Sequence, residues 1–228
     1  MRIKIASDLD GLLKILENPI RRKIVKRLSQ EPSYSLRISK QLGLGQQLVT
    51  KHLNIMERLG FVTSDIKHSP LGAQRRVFGL AKSFSLIIDV APHLFKQNIV
   101  SFEVTPEEYQ ISGSAASLME KRDRILDYPN EKDKMKPFSR ILTEIDGKLE
   151  SLEQERAVLL SIRNSIMMEA SKIIQNIDDA DSRRVFHSAL GEHDNSVRRI
   201  AESLNLREDR VKKIFQKLKN EVNIEYFQ

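Results

Sequence analysis

Between positions 46 and 54 the chain sets five polar side chains, Gln46, Gln47, Thr50, Lys51 and Asn54, among the apolar Val49, Leu53 and Met56. The apolar three fall at i, i+4 and i+7, so on a helix they share one side and leave the polar five on the other. Gln and Asn can bond both the donor and the acceptor of an adenine edge. Thr offers thymine a hydroxyl and a methyl, and Lys takes guanine or phosphate. This is chemistry for reading a base-pair edge. His52, beside Leu53, reads as a packed or backbone-bonded histidine rather than a ligand.

Chemistry of other kinds finds little support. The 228 residues contain no Cys, which excludes a disulfide framework, a thiolate nucleophile and any thiolate metal site. There is no Walker-type loop, GxSxG or HExxH, and the five His are scattered without metal-ligand spacing. Asp178-Asp179 reads as capping or solvated charge. No enzymatic activity, cofactor or metal is expected. No apolar stretch approaches the length of a membrane span, and MRIKIASDLDGLLK lacks the apolar core of a secretory signal. The expectation is a soluble, cytoplasmic protein.

The groove-reading run needs elements to hold it at a fixed angle. Leu9, Leu12, Leu13 and Leu16 predict a helix over Asp8 to Glu17, and Asn18-Pro19 ends it and caps a second with Ile20, Ile24, Val25 and Leu28 inward. A third helix, Ser35 to Leu42, stops at Gly43, and a fourth runs from about Gly45 to Leu59 and closes at Gly60. Phe61 to Ile66 and Gln74 to Leu80 are β-prone, joined by a loop from Lys67 to Ala73 containing Pro70 and Gly72.

Charge singles out the same region. Residues 1–80 hold 15 basic and 6 acidic side chains, a net +9, whereas the rest of the chain is close to neutral. Two readings stand, a solvated basic face and a surface for a polyanion. On the second reading Arg21, on the second helix, and Arg75 and Arg76, on the hairpin, join Lys51 as candidate phosphate contacts. Neighbours in a strand point to opposite faces, so at most one of Arg75 and Arg76 tracks a given phosphate.

Beyond residue 80 the pattern changes. Residues 81–136 read as a connector with the strand-like run Ser85 to Val90, a helix capped by Thr105 and starting at Pro106, and an exposed break over Tyr128 to Lys136. Over 137–177 Ile145, Leu152, Leu159, Ile166 and Ile173 recur every seven residues, which predicts a long, coiled-coil-like dimerising helix. Arg156 and Arg163 interrupt the companion heptad positions Leu142, Leu149, Ala170 and Ile177, so antiparallel or multi-helix packing fits better than a simple zipper. Residues 178–228 read as a C-terminal helical domain in which Ser196 to Leu204, a turn and Arg207 to Val222 form either a second helix-turn-helix or a helical cap. Arg207 and Arg210 are its candidate DNA contacts. The fold class expected is mainly α, with a winged helix-turn-helix (α+β) over residues 1–80.

LENPIRRKIVKRL, SLRISKQLGLGQQLVTKHLNIMERLGFV and RRVFGL together resemble the winged helix-turn-helix of ArsR-type (arsenical-repressor-like) transcriptional regulators, especially archaeal ones. The matching positions are Asn18-Pro19, Arg21, Gly43, the Gln46 to Leu59 helix, Leu59-Gly60 and Arg75-Arg76. The resemblance covers about the first 80 residues and implies dimers on operator half-sites in double-stranded DNA, with the hairpin as a basic wing. LESLEQERAVLLSIRN is similar to the dimerisation helices of longer members. Gly45 stands where the family commonly has a Ser cap, and the Cys pairs of its metal-sensing branch are absent. An architectural or protein-docking assembly factor is the rival reading. No effector is legible.

Overall fold

The computed structural model describes residues 9–69, 72–101, 113–175, 177, 179–191 and 196–222. They fall into two compact units, one holding the described residues up to 87 with 97–101, the other 88–96 and those from 113 onward.

In the first unit α1 (Leu9–Leu16) and α2 (Pro19–Leu28) meet at Asn18, whose Oδ1 accepts the backbone N–H of Ile20 at 2.9 Å and of Arg21 at 3.1 Å. These are two of the donors that a helix start leaves without partners, and Pro19 at the first position has no N–H to satisfy. Asn18→Ala is expected to cost about 1 kcal/mol of stability, read as a lower urea midpoint at unchanged m. Next come β1 (Ser33–Tyr34), α3 (Ser35–Leu42), α4 (Gln46–Arg58), β2 (Val62–Ser69) and β3 (Gly72–Leu80). The sheet is antiparallel in the order β1-β3-β2, with Ser33 opposite Phe78 and Val62 opposite Leu80. The strands of the wing reach closer to its tip than the loop from Lys67 to Ala73 allows, with an irregularity between Lys67 and Ser69. Gly43 and Gly60 end α3 and α4 in the left-handed conformation, at φ +64° and +69°. Leu12, Ile24, Ile38, Leu53, Met56 and Phe78 lie in a single core.

β4 (Phe84–Ala91) and β5 (Leu94–Ser101) form a two-stranded hairpin. The apolar run of β4 is visible in the sequence. β5 is hidden by Lys96-Gln97-Asn98, which break the alternation of a half-buried strand. Thr105 and Pro106 lie outside the described residues.

The second unit contains α5 (Gly113–Leu126), α6 (Glu131–Ile173), α7 (Ala180–Gly191), α8 (Val197–Leu204) and α9 (Glu208–Val222). α6 begins at Glu131, where an exposed break is expected, because the Asn130 side chain caps it by accepting the Lys132 N–H at 3.1 Å. Pro137 is carried inside the helix, near its start. The helix ends at Ile173 rather than near Ile177. Ile174 and Ile177 instead enter a core with Val185, Phe186, Ile200, Val211, Ile214 and Leu218 from α7, α8 and α9. Ser196 caps α8, and Asn205 closes it at φ +55°.

α6 is 43 residues long, about 65 Å at 1.5 Å per residue. Only Ile141 and Met167 are buried on it, while Leu142, Leu149, Leu152, Leu159, Ile166 and Ile173 are 52–62% exposed. The arginines that interrupt the heptads are occupied within the unit: Arg156 is paired with Asp89, and Arg163 donates to the Gly191 carbonyl at 3.0 Å.

Candidate nucleic-acid interface

α3 and α4 are joined by the Gly43–Gly45 turn, and α4 is fixed from beneath by Val49, Leu53 and Met56, each with no exposure at all. The opposite face is consequently turned out. Gln46, Gln47 and Lys51 are exposed and Thr50 and Asn54 half-buried. Together with Glu57, Arg58 and Arg76 these five line one open concave surface. The Asn54 Oδ1 is buried and has no hydrogen-bond partner among the described residues. Gly45 precedes the helix at φ −64°, ψ 136° and supplies no side-chain cap.

The wing contributes through one arginine more than the other. Arg76 bonds Glu57 at 2.5 Å and the Ser64 hydroxyl at 2.8 Å, and its guanidinium lies 5.1 Å from the centre of the Phe78 ring. It is a cation with a fixed address beside α4. Arg75 turns to the other side of the strand, 5.0 Å from the centre of the Tyr34 ring, as strand alternation requires. Glu57, Arg58 and Ser64 go unnoticed in the sequence, although Glu57 and Arg58 extend the i+3/i+4 series of Gln47, Thr50 and Asn54.

Arg21 belongs elsewhere. It is 7% exposed, with Nε donating to the Ile15 carbonyl at 3.0 Å and Nη2 to the Lys14 carbonyl and to Glu17. The last carbonyls of a helix have no partners of their own and carry partial negative charge, so α1 claims this guanidinium before a phosphate can. Arg27 is likewise buried, on Gln41 and Glu31, and Arg22 donates to the Leu16 and Glu17 carbonyls. The basic surface of α2 therefore narrows towards Lys23 and Lys26, both exposed. Arg21→Met is expected to lower stability by about 2 kcal/mol through unpaired carbonyls while leaving the salt dependence of any DNA binding unchanged. Chemical unfolding and a salt titration read the two effects separately.

His52 is 8% exposed and its Nδ1 lacks a partner among the described residues. Burial lowers its pKa from the usual imidazole value, and the charges of Arg21 and Lys51 lower it further. The unfolded chain then binds this proton first as pH falls. The stability tied to neutral His52 is whole above about pH 6.5 and drains away as pH descends towards the lowered folded value. Melting of the parent between pH 7.5 and 5.5 should show this loss, and His52→Gln should reduce it.

In the second unit Arg207 stands exposed just before α9, while Arg210 is held by Asp179 at 3.4 Å and Asp181 at 3.8 Å. The Ser182 hydroxyl, donating at 2.6 Å, holds the Asp179 carboxyl below the ordinary carboxylate range, aided by the Asp181 N–H and Arg210 and opposed by burial. Among the described residues no helix is long and apolar enough to cross a membrane.

Residues 18–64 match a family model described as bacterial regulatory protein, arsR family. No curated protein matches the chain. The matched stretch starts at the Asn18 cap, runs through α2, α3 and α4, and ends in β2, so it takes in the face that carries Gln46 to Asn54. Over residues 18–64 the chain is thus similar to bacterial regulatory proteins of the arsR family, a likeness that supports a DNA-binding transcriptional regulator.

Proposed function

We propose that the protein is a cytoplasmic homodimer that binds double-stranded DNA sequence-specifically and regulates transcription, with α4 seated in the major groove. The observation that carries this reading is the α4 face itself. Five side chains able to bond bases or phosphates project from a helix whose opposite side is wholly buried, next to an arginine held in place by Glu57. Gln46, Gln47, Thr50 and Asn54 are assigned to base edges, and Lys51 and Arg58 to phosphates. Arg76 is assigned to the flanking backbone in the geometry that Glu57 sets.

The dimer is assigned to α6. Six leucines and isoleucines at or near heptad spacing are more than half exposed on one side of it, and the two interrupting arginines are engaged elsewhere. A second copy with the same stripe is the simplest cover for a self-complementary apolar surface. The α8–α9 pair repeats the helix-turn-helix plan and offers Arg207, but Asp179 and Asp181 already occupy Arg210. The N-terminal domain is accordingly assigned the main contact.

Selection from a pool of random duplexes tests the reading. It is expected to enrich a motif of two inverted half-sites whose centres lie a whole number of DNA turns apart, about 10–10.5 bp or a multiple. Retained binding with no enriched motif would favour the architectural alternative.

A further inference from the structure

The second unit contains a cavity of about 690 Å³ among the tip of the β4–β5 hairpin, the middle of α6 and the end of α7. Among the described residues four cationic side chains, Lys96, Arg156, Arg163 and Arg199, line it against a single carboxylate, Asp89, and that carboxylate is already paired with Arg156. The excess of positive charge is therefore local to the cavity, although this half of the sequence is close to neutral.

Arg163 is the telling residue. Its Nη2 donates to the Gly191 carbonyl at 3.0 Å, whereas its Nη1 is buried with no hydrogen-bond partner among the described residues. A buried charged donor left unpaired is costly, and proteins of ordinary quality hold few of them. Gly191 leaves room beside the guanidinium, since a Cβ there would stand 3.3 Å from Nη2. One wall is flat. The His93 and His187 rings stack with centres 4.2 Å apart and planes 10° from parallel, and His93 is held by a 3.0 Å bond between its Nε2 and the Ser171 hydroxyl. His93 adopts φ +59°, a left-handed conformation uncommon for a residue with a side chain. Burial, then the neighbouring His93, lowers the His187 pKa, which favours a neutral ring in this wall. Leu94, Phe95, Leu160 and Leu190 supply apolar lining.

We propose that this cavity binds a small organic anion, with a carboxylate or phosphate head on the free edge of Arg163 and a flat apolar body against the His93–His187 stack. A charged oxygen at Nη1 would complete the guanidinium's hydrogen bonds, and a fork of two N–H groups suits carboxylate and phosphate alike. The volume lies within the range of small-molecule sites, and apolar walls with a few placed polar groups are their usual make-up. The site is read without DNA, so it stands or falls apart from the regulator assignment.

Isothermal titration of the full chain with benzoate and phenyl phosphate tests it, with benzyl alcohol as the neutral counterpart. At least one anion is expected to bind saturably at one site per chain and at least about tenfold more tightly than benzyl alcohol. Arg163→Gln is expected to weaken that binding at least about tenfold. Leu160→Phe, which narrows the cavity without touching the charge, should weaken it as well, with far-UV circular dichroism confirming that both variants keep the parent's helix content. A preference for one head group identifies the ligand's chemistry as carboxylate or phosphate. No saturable binding of either anion at millimolar concentration would overturn the proposal. So would parental affinity in both folded variants.

Discussion

If α6 carries the proposed dimer, replacing Leu152 and Leu159 together by Glu should turn the protein into a monomer in sedimentation velocity, with its helix content unchanged. The two leucines lie one heptad apart on α6, 52% and 59% exposed, and neither belongs to a core of its own unit. Each copy can fold without them. Across a two-fold seam the two substitutions strip apolar area from four side chains. At about 1.5–3 kcal/mol for each leucine buried, the upper bound is about 6–12 kcal/mol, before counting four carboxylates brought face to face. A loss of dimer affinity of 10³-fold or more is the expected order. DNA binding should fall with it by about 10²- to 10⁴-fold, because a single recognition helix forgoes the effective concentration that a tethered second one supplies. Persistence of the dimer would move the interface off the stripe.

Gln47→Ala and Lys51→Ala should fail in different ways. Both residues are exposed on α4 and contribute nothing to the core, so neither variant should melt differently from the parent. If Gln47 bonds a base edge in two places, its loss removes about 1–3 kcal/mol of discrimination at one position of each half-site and leaves binding to unrelated DNA nearly as it was. If Lys51 neutralises a phosphate, its loss weakens binding to every duplex alike. It also makes the slope of log K against log salt shallower by about one unit per half-site. Equal losses on all sequences for both variants would assign the whole face to phosphate.

How far the sequence reveals this molecule depends on whether a residue's role is decided locally. The α4 face is legible because helical periodicity separates Val49, Leu53 and Met56 from Gln46, Gln47, Thr50, Lys51 and Asn54 with no knowledge of the rest of the chain. Gly43 and Gly60 are legible for a similar reason, since a left-handed helix end nearly calls for glycine. Arg21 is not, because its role is set by the carbonyls at the end of α1, and a backbone carbonyl leaves no mark in the sequence. Arg76 is half legible: a basic wing shows in the residue types, whereas its attachment to Glu57 depends on the pairing of β2 with β3.

The long helix yields a similar lesson. Its heptads are plain, yet its start is obscured by Pro137, which marks a break in most contexts and is carried here six residues after Glu131. Arg156 and Arg163 look like flaws in a seam until Asp89 and the Gly191 carbonyl are found beside them. The cavity is the least legible feature of all. Its lining is drawn from residues between Asp89 and Arg199, and no spacing links a hairpin tip to the end of α7.

Whether α4 reads sequence is measured by fluorescence anisotropy of the full-length protein. Binding is compared on a duplex enriched by selection and on the same duplex shuffled, at salt concentrations from 50 to 200 mM. Groove reading by α4 gives a preference for the selected duplex of about 10³-fold or more, with both affinities falling as salt rises. Equal affinity for the two duplexes at every salt concentration would contradict it.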